Sequence, residues 1–267
     1  MSNPEFDRAL AEIAAGRPVL VYDFDDREKE TDFTIASQFV TPSILKTMRK
    51  EAGGLICTTM PGVLARDIGL PFLSDVFKES SMKFPLLAAM SPDDIPYDPS
   101  KSSFGITLNH RDTYTGITDN DRALTITSFV DSIFRDSPVE KIREELGSHF
   151  RAPGHVHLLN TTDSILETRK GHTELCTAMM YMAGVKPSAT ICEMMGEDGG
   201  SMKRPDVERF SAETGIPMVT GEDVLENWAK FKDGGLRRYG PRHGIRRLRS
   251  DSSRSRLLFG AGQILRR

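Results

Sequence analysis

Four short stretches of this chain concentrate side chains able to hold a metal, an anion or a proton. The densest is Asp23-Phe24-Asp25-Asp26-Arg27-Glu28-Lys29-Glu30-Thr31-Asp32. Carboxylates crowded this closely repel one another unless a cation intervenes. Arg27 offers one positive charge, and a divalent ion is the stronger solution because oxygen-rich sites suit magnesium. The same residues also make an ordinary solvated acidic turn, the usual fate of a charge run. The second stretch is Arg169-Lys170-Gly171-His172-Thr173-Glu174. Free amides at a helix start, the Thr173 hydroxyl and the Arg169 guanidinium together form a phosphate cradle. His172 placed there is able to ligate a metal or move protons. Plain capping by Thr173 beside a surface histidine accounts for the same pattern.

The third stretch is Arg151-Ala152-Pro153-Gly154-His155-Val156-His157. Gly154 lets a ligand approach the backbone, and strand alternation sends His155 and His157 to one face. That is the spacing of a two-histidine metal site, or of a strand with one histidine partly exposed. The fourth is Ile191-Cys192-Glu193-Met194-Met195. A carboxylate inside an apolar strand is either paired in the core or has a raised pKa suited to proton transfer. Cys57 and Cys192 read as small core residues rather than nucleophiles. There is no G-x-S-x-G, no Walker loop and no G-x-G-x-x-G.

The elements that must position these groups follow from the surrounding pattern. Phe6, Leu10 and Ile13 predict a helix over Asn3–Ala15, ended by Gly16. Pro18–Tyr22 reads as a buried strand that delivers the acidic stretch from its end, the edge where α/β sheets place ligands. Thr41-Pro42 predicts a capped helix to about Lys50, broken by Gly53-Gly54 before a strand at Leu55–Thr59. Ser91–Ser103, rich in Pro and Asp, reads as a surface loop. Strands are expected at Phe104–Leu108, His155–Leu159 and Thr190–Met194. Asp121–Val130 is open between strand and helix. Thr173–Ala183 is a helix apolar over so much of its surface that it is expected to be buried. A last helix, Gly221–Lys230, carries Trp228. This interleaving gives the class α/β or α+β.

The chain has 267 residues, 38% of them hydrophobic and 27% charged, enough to bury a sizeable core. No apolar run approaches the ~18 residues that cross a bilayer, and Met1–Arg17 lacks the pattern of a signal peptide. Three cysteines without C-x-x-C spacing argue against disulfides or structural zinc and for a reducing, cytoplasmic setting. The net charge of −3 hides an asymmetry, because Lys230–Arg267 holds twelve Lys and Arg against Asp233 and Asp251. The remaining body is acidic, which argues against nucleic acid as the main substrate but allows a phosphorylated metabolite at a focused basic site.

Taken in order, these stretches resemble the 3,4-dihydroxy-2-butanone 4-phosphate synthases of riboflavin biosynthesis. The likeness is carried by Asp26–Asp32, Gly53-Gly54-Leu55-Ile56-Cys57, Pro153-Gly154-His155-Val156 and Gly171-His172-Thr173-Glu174. Thr115–Arg122 and Ile191–Met195 complete it, so that it runs from about Phe6 to Trp228. The resemblance implies a single-domain fold with a mixed sheet flanked by helices. It also implies conversion of ribulose 5-phosphate to 3,4-dihydroxy-2-butanone 4-phosphate and formate with magnesium or manganese, in a homodimer with active sites at the interface. Glu28 and His172 correspond to metal ligands. Arg27, Glu28, Asp32, Arg169, Lys170, Gly171, His172, Thr173 and Glu193 correspond to substrate contacts. His155 and Glu193 correspond to catalytic residues, with Glu30 a participant in proton transfer. The longer stretch Asp67–Ser103 is similar to the archaeal branch, and Thr31 stands where many relatives have glycine.

Residues 1–230 are thus expected to form the synthase domain, with no room for a fused cyclohydrolase. Residues 231–267 are expected to be a basic, disordered tail. Two other functions compete: a non-catalytic sugar-phosphate-binding protein on the same fold, and a nucleic-acid module acting through the tail.

Overall fold

The computed structural model describes residues 3–91, 95–98 and 101–235. Helix α1 (Pro4–Ala14) starts where the Asn3 side chain accepts the Glu5 and Phe6 amides, and it buries Phe6, Ala9 and Ile13. Strand β1 (Val19–Tyr22) follows and pairs antiparallel with β2 (Thr31–Ala36). The sequence reading did not anticipate β2. Its side chains alternate, Phe33 and Ile35 against Asp32 and Thr34, but it follows the charged stretch 23–32 without a break and its polar face is buried rather than wet.

Helix α2 (Pro42–Thr47) begins at the Thr41 cap as expected, and a π-turn over Met48–Ala52 prolongs it to Gly53, whose φ of 89° ends it. Then come β3 (Cys57–Met60), α3 (Gly62–Ile68), α4 (Leu73–Glu79), α5 (Pro85–Ala89) and β4 (Phe104–His110). The ambiguous segment is helical, α6 (Asp119–Ile133), because Thr118 caps it through the Asp121 amide and Ile126, Phe129 and Val130 reach the core. Helix α7 (Val139–His149) leads into β5 (Phe150–Asn160), which starts five residues before the expected strand. Helix α8 (His172–Ala183), β6 (Ala189–Glu193), α9 (Arg204–Thr214), β7 (Met218–Thr220) and α10 (Gly221–Gly235) complete the described chain. The expected end of the last helix at Lys230 is exceeded by five residues. The expectations for the tail beyond residue 235 lie outside the described residues.

Among the described residues the strands form one seven-stranded mixed sheet in the order β4-β5-β3-β6-β2-β1-β7. β1–β7 and β3–β5 are parallel and the other pairs antiparallel. Alternation along the strands feeds two cores. Leu20, Phe33, Ile35, Cys192 and Leu158 pack with Leu45, Met48 and Phe129 on one face. Val19, Val21, Ile191 and Cys57 pack with Phe6, Leu175, Met179 and Val224 on the other, under α1, α8 and α10. With helices on both faces, the fold is an α+β single domain. Among the described residues no helix is long and apolar enough to cross a membrane.

Candidate active site

The turn between β1 and β2 is folded around one fully buried carboxylate, Asp23. Its Oδ2 accepts the Glu28 amide at 3.0 Å and its Oδ1 accepts the Glu30 amide at 3.0 Å. An aspartate just past a strand end is suited to this, since its short side chain satisfies backbone donors locally. Lys29 adopts φ 60° at the bend. The closed turn drives Arg27 inward, where it pairs with Asp23, Glu28 and Asp98.

The start of α8 faces this turn. His172 is buried, with Nε2 3.2 Å from the Glu30 carbonyl oxygen. A carbonyl only accepts, so Nε2 carries a proton, and Nδ1 looks toward Glu28 Oε2 at 3.7 Å. One ligand atom each from Asp23, Glu28 and His172 fall within 4.8 Å of one another. Arg169, also buried, sets Nη1 2.6 Å from Glu174 Oε2. A side chain at Gly171 would lie 2.8 Å from Arg27 Nη2 and closer still to Arg169 Nη1, so its absence lets both guanidiniums lie on the backbone.

Sheet register brings in the remaining groups. Asp32 on β2 is paired with Glu193 at the end of β6, so both side chains share the α8 face. Glu193 Oε2 accepts the Leu55 amide at 2.7 Å, and its carbonyl accepts the Gly54 amide at 3.0 Å. Cys57 pairs with both Ile191 and His157. Two residues further along that register, Leu55 stands level with Glu193 and His155. His155 is therefore in the same row as Glu193 and Asp32, about 10 Å from Glu193 by strand spacing. It is exposed, with Nδ1 3.2 Å from Asn109 Nδ2.

The electrostatics suit a cation. Burial alone would lower the His172 pKa, but Asp32, Glu28 and Asp23 outweigh it and push it up to about 10. Asp32 is raised to about 7 by burial, with Glu193, Glu28 and Glu30 adding to the effect and His172 opposing it. Burial and Glu28 also raise Glu30. Glu28 lies low despite burial, because His172 and Arg27 hold it ionised. Asp32 Oδ1 is buried without a hydrogen-bond partner. Hard carboxylate oxygens, one imidazole nitrogen and an orphaned buried acceptor fit a divalent ion such as magnesium or manganese, which would take the place of a proton on His172 Nδ1 while Nε2–H stays on the Glu30 carbonyl. The three cysteines are buried, and burial raises all three thiols, Cys192 to about 12, so none is poised as a nucleophile.

The sequence profile of the 3,4-dihydroxy-2-butanone 4-phosphate synthases matches residues 7–227. This chain belongs to that family. It is 42% identical over 225 residues to the 3,4-dihydroxy-2-butanone 4-phosphate synthase of Methanothermobacter thermautotrophicus, covering 84% of this chain and 96% of the relative. The enzyme of that name from Archaeoglobus fulgidus is 41% identical over 231 residues, 86% of this chain and 96% of the relative. A crystal structure of a 3,4-dihydroxy-2-butanone 4-phosphate synthase in complex with two magnesium ions shares the fold. Its TM-score is 0.64 at 24% identity, over 85% of this chain and 97% of that one.

Within this family fold, the structure gathers Arg27, Glu28, Glu30, Asp32, Arg169, Gly171, His172, Thr173 and Glu193 at one end of the sheet beside α8. Lys170 is exposed between two buried neighbours. Thr173 is not the cap of α8: Gly171 takes that position without a side-chain bond, and Thr173 is buried inside the first turn. Glu193 closes its strand rather than sitting mid-strand, so its carboxylate is only half-buried. His157 meets the Phe104 ring edge-on, and the two-histidine pair is not part of the acidic cluster. Sequence reasoning missed the turn-forming role of Asp23, the burial of Glu174 against Arg169, and Asp98. The stretch holding Asp98 was read as surface loop, yet Asp98 is 5% exposed. Asp23 carried a local signal as an aspartate just past a strand end, and Glu174 as an acid among the mostly apolar residues of α8; Asp98 carried none.

Proposed function

We propose that this protein converts D-ribulose 5-phosphate to L-3,4-dihydroxy-2-butanone 4-phosphate and formate in riboflavin biosynthesis, as a metal-dependent lyase. The observation that carries this reading is the Asp23–Glu28–His172 cluster beside the Arg27–Arg169 pair, in a chain of this family. Glu28 and His172 hold the metal, with Asp23 fixing the turn that presents Glu28. A bound divalent ion supplies a Lewis acid that makes the hydrogen next to a ketose carbonyl easier to remove. The related structure with two magnesium ions supports that assignment.

Arg169, the α8 amides from Gly171 to Thr173, and Lys170 bind the phosphate, and Arg27 contacts the substrate beside them. Remote binding of the phosphate then orients the carbon chain against the carboxylates. Asp32, paired in register with Glu193, contacts the substrate beside Glu30 and Glu193. Glu193 and His155 carry the proton transfers of the skeletal rearrangement and formate loss. The atoms of ribulose 5-phosphate equal those of the two products, so no water and no redox partner are consumed.

The working unit is a homodimer with its sites at the interface. Exposed Leu55 and Met195 flank Glu193, and exposed Tyr114 and Ile117 flank the Asn109–His155 contact, so a second copy would cover apolar surface where His155 is left open. Three buried free cysteines are consistent with a reducing cytoplasm. The test is formate release from ribulose 5-phosphate by purified protein, with magnesium or manganese and then with chelator. Formate that forms with metal and stops with chelator is expected. Its absence in both, from folded protein, would favour a non-catalytic sugar-phosphate binder.

A further inference from the structure

His155 stands outside the ladder of the strand that carries it. Between two neighbouring residues of β4 the register on β5 jumps: Leu108 faces Val156, and Asn109 faces Arg151. The residues between, Ala152 to His155, have no partner in that ladder. A bulge of this kind re-aims a side chain and leaves its own amides in need of acceptors. Two side chains of β4 supply them. Thr107 Oγ1 accepts the Gly154 amide at 3.0 Å, and Asn109 Oδ1 accepts the His155 amide at 2.7 Å. A Cβ at Gly154 would lie 2.0 Å from the Leu108 carbonyl carbon, so the bulge crosses β4 with no room for a side chain there.

Asn109 holds the ring of His155 as well as its backbone. Its Nδ2 lies 3.2 Å from His155 Nδ1 and 3.2 Å from the Thr115 carbonyl oxygen. The direction of the amide follows from its two backbone contacts. The His155 N–H requires an acceptor and the Thr115 carbonyl requires a donor, so oxygen meets the first and nitrogen the second. Turned over, the amide would set donor against donor and acceptor against acceptor. Nδ2 has two hydrogens and accepts nothing; one points to Thr115 and the other to His155 Nδ1. In the uncharged ring Nδ1 is therefore the acceptor, and Nε2 carries the hydrogen. Gly116, at φ 95°, clears the other side of the amide, since a Cβ there would lie 2.1 Å from Asn109 Nδ2.

We propose that Asn109 is a positioning residue for His155, fixing both the direction of the ring and its tautomer, so that His155 meets the substrate through Nε2–H. This rests on the role given to His155 under Proposed function, and it makes that role a donor's. An uncharged imidazole donating from a fixed nitrogen stabilises the charge that gathers on a sugar oxygen when a carbon-bound proton leaves for a carboxylate. An exposed ring without Asn109 divides itself among several directions and two tautomers, and only part of that population is competent.

The test reads the ring directly. Nitrogen NMR of the full chain carrying isotope-labelled histidine, above the ordinary histidine titration range, shows which ring nitrogen bears hydrogen. His155→Gln identifies the signal among the six histidines. The parent is expected to bear hydrogen on Nε2 and none on Nδ1. Asn109→Asp keeps the shape and the acceptor for the His155 amide, but a carboxylate only accepts. It is expected to draw a hydrogen onto Nδ1 and to lower kcat for formate release at least about 100-fold, the cost of a wrong tautomer. KM should stay within about threefold. Asn109→Leu, with neither bond, should lower kcat in the same way, and thermal melting checks that each variant is folded. Hydrogen on Nδ1 in the parent, or the parent's pattern in Asn109→Asp, would overturn the tautomer assignment. A reversed ring with unchanged kcat, or a loss confined to KM, would overturn the positioning role. A parent that forms no formate counts against the reading of function, while the ring pattern still decides whether Asn109 sets the tautomer.

Discussion

Glu28 Oε2 and His172 Nδ1 face each other across 3.7 Å, although 144 positions of numbering separate the turn after β1 from the start of α8. Neither residue is held by the other alone. The Glu28 amide is tied to Asp23, and the far nitrogen of His172 is tied to the Glu30 carbonyl. The pair is therefore preset by two backbone contacts of one turn, an arrangement that fixes the direction of both ligand atoms before any ion arrives.

Division of labour between metal holding and proton transfer is testable at this pair. Glu28→Gln and His172→Asn should each weaken manganese binding at least about 100-fold. Glu193→Gln and His155→Ala should bind manganese much as the parent does, yet lose about 100- to 10,000-fold in formate release. Calorimetry and a formate assay on the same preparations check this. Loss of metal binding in the second pair would refute the division.

The raised pKa of His172 gives the metal-free protein a pH signature. In the folded state the group holds its proton up to about 10, against about 6.5 when unfolded. A pKa raised by folding contributes stability that is complete below the unfolded value and lost as pH climbs through the folded one. Melting temperature in chelator should therefore fall between about pH 6.5 and 10. The same curve for His172→Asn should be flatter over that window. A parent curve no steeper than the variant's would contradict the placement of His172 among Asp32, Glu28 and Asp23.

Gly54 is a steric requirement of Glu193. A Cβ there would sit 2.5 Å from Glu193 Oε2 and 2.6 Å from its carbonyl oxygen. Gly54→Ala should push the carboxylate off the Leu55 amide and lower kcat more than it raises KM. Steady-state kinetics with a melting control would read this, and an unchanged kcat would show that Glu193 does not need that seat.

Phe33, fully buried on β2, links the sheet centre to the core beneath α2 and α6. Phe33→Ala should cost about 3–5 kcal/mol, the range for emptying an aromatic core position. Urea unfolding should show it as a lower midpoint.

By itself the sequence determined what is local. The Asn3 cap with Phe6 and Ile13 specifies α1, the Thr41-Pro42 cap specifies α2, and the apolar run after His172 specifies a buried α8. Each is governed by contacts a few residues apart, and so was legible in spacing. The same holds for the type of chemistry: carboxylates, an imidazole and guanidiniums announce a cation and an anion wherever they are placed. The tertiary structure alone decided which of them meet. β2 was hidden because its first residues, Thr31 and Asp32, close the charged stretch 23–32, and only the fold shows that this polar face is buried against α8. The row of Asp32, Glu193 and His155 follows from strand register, which depends on pairing between distant segments. Asp98 had the local composition of a surface loop. It is buried because two guanidiniums, from the β1–β2 turn and from the approach to α8, draw its charge inward. Long-range electrostatic partners of that kind leave no trace in the residues next to them.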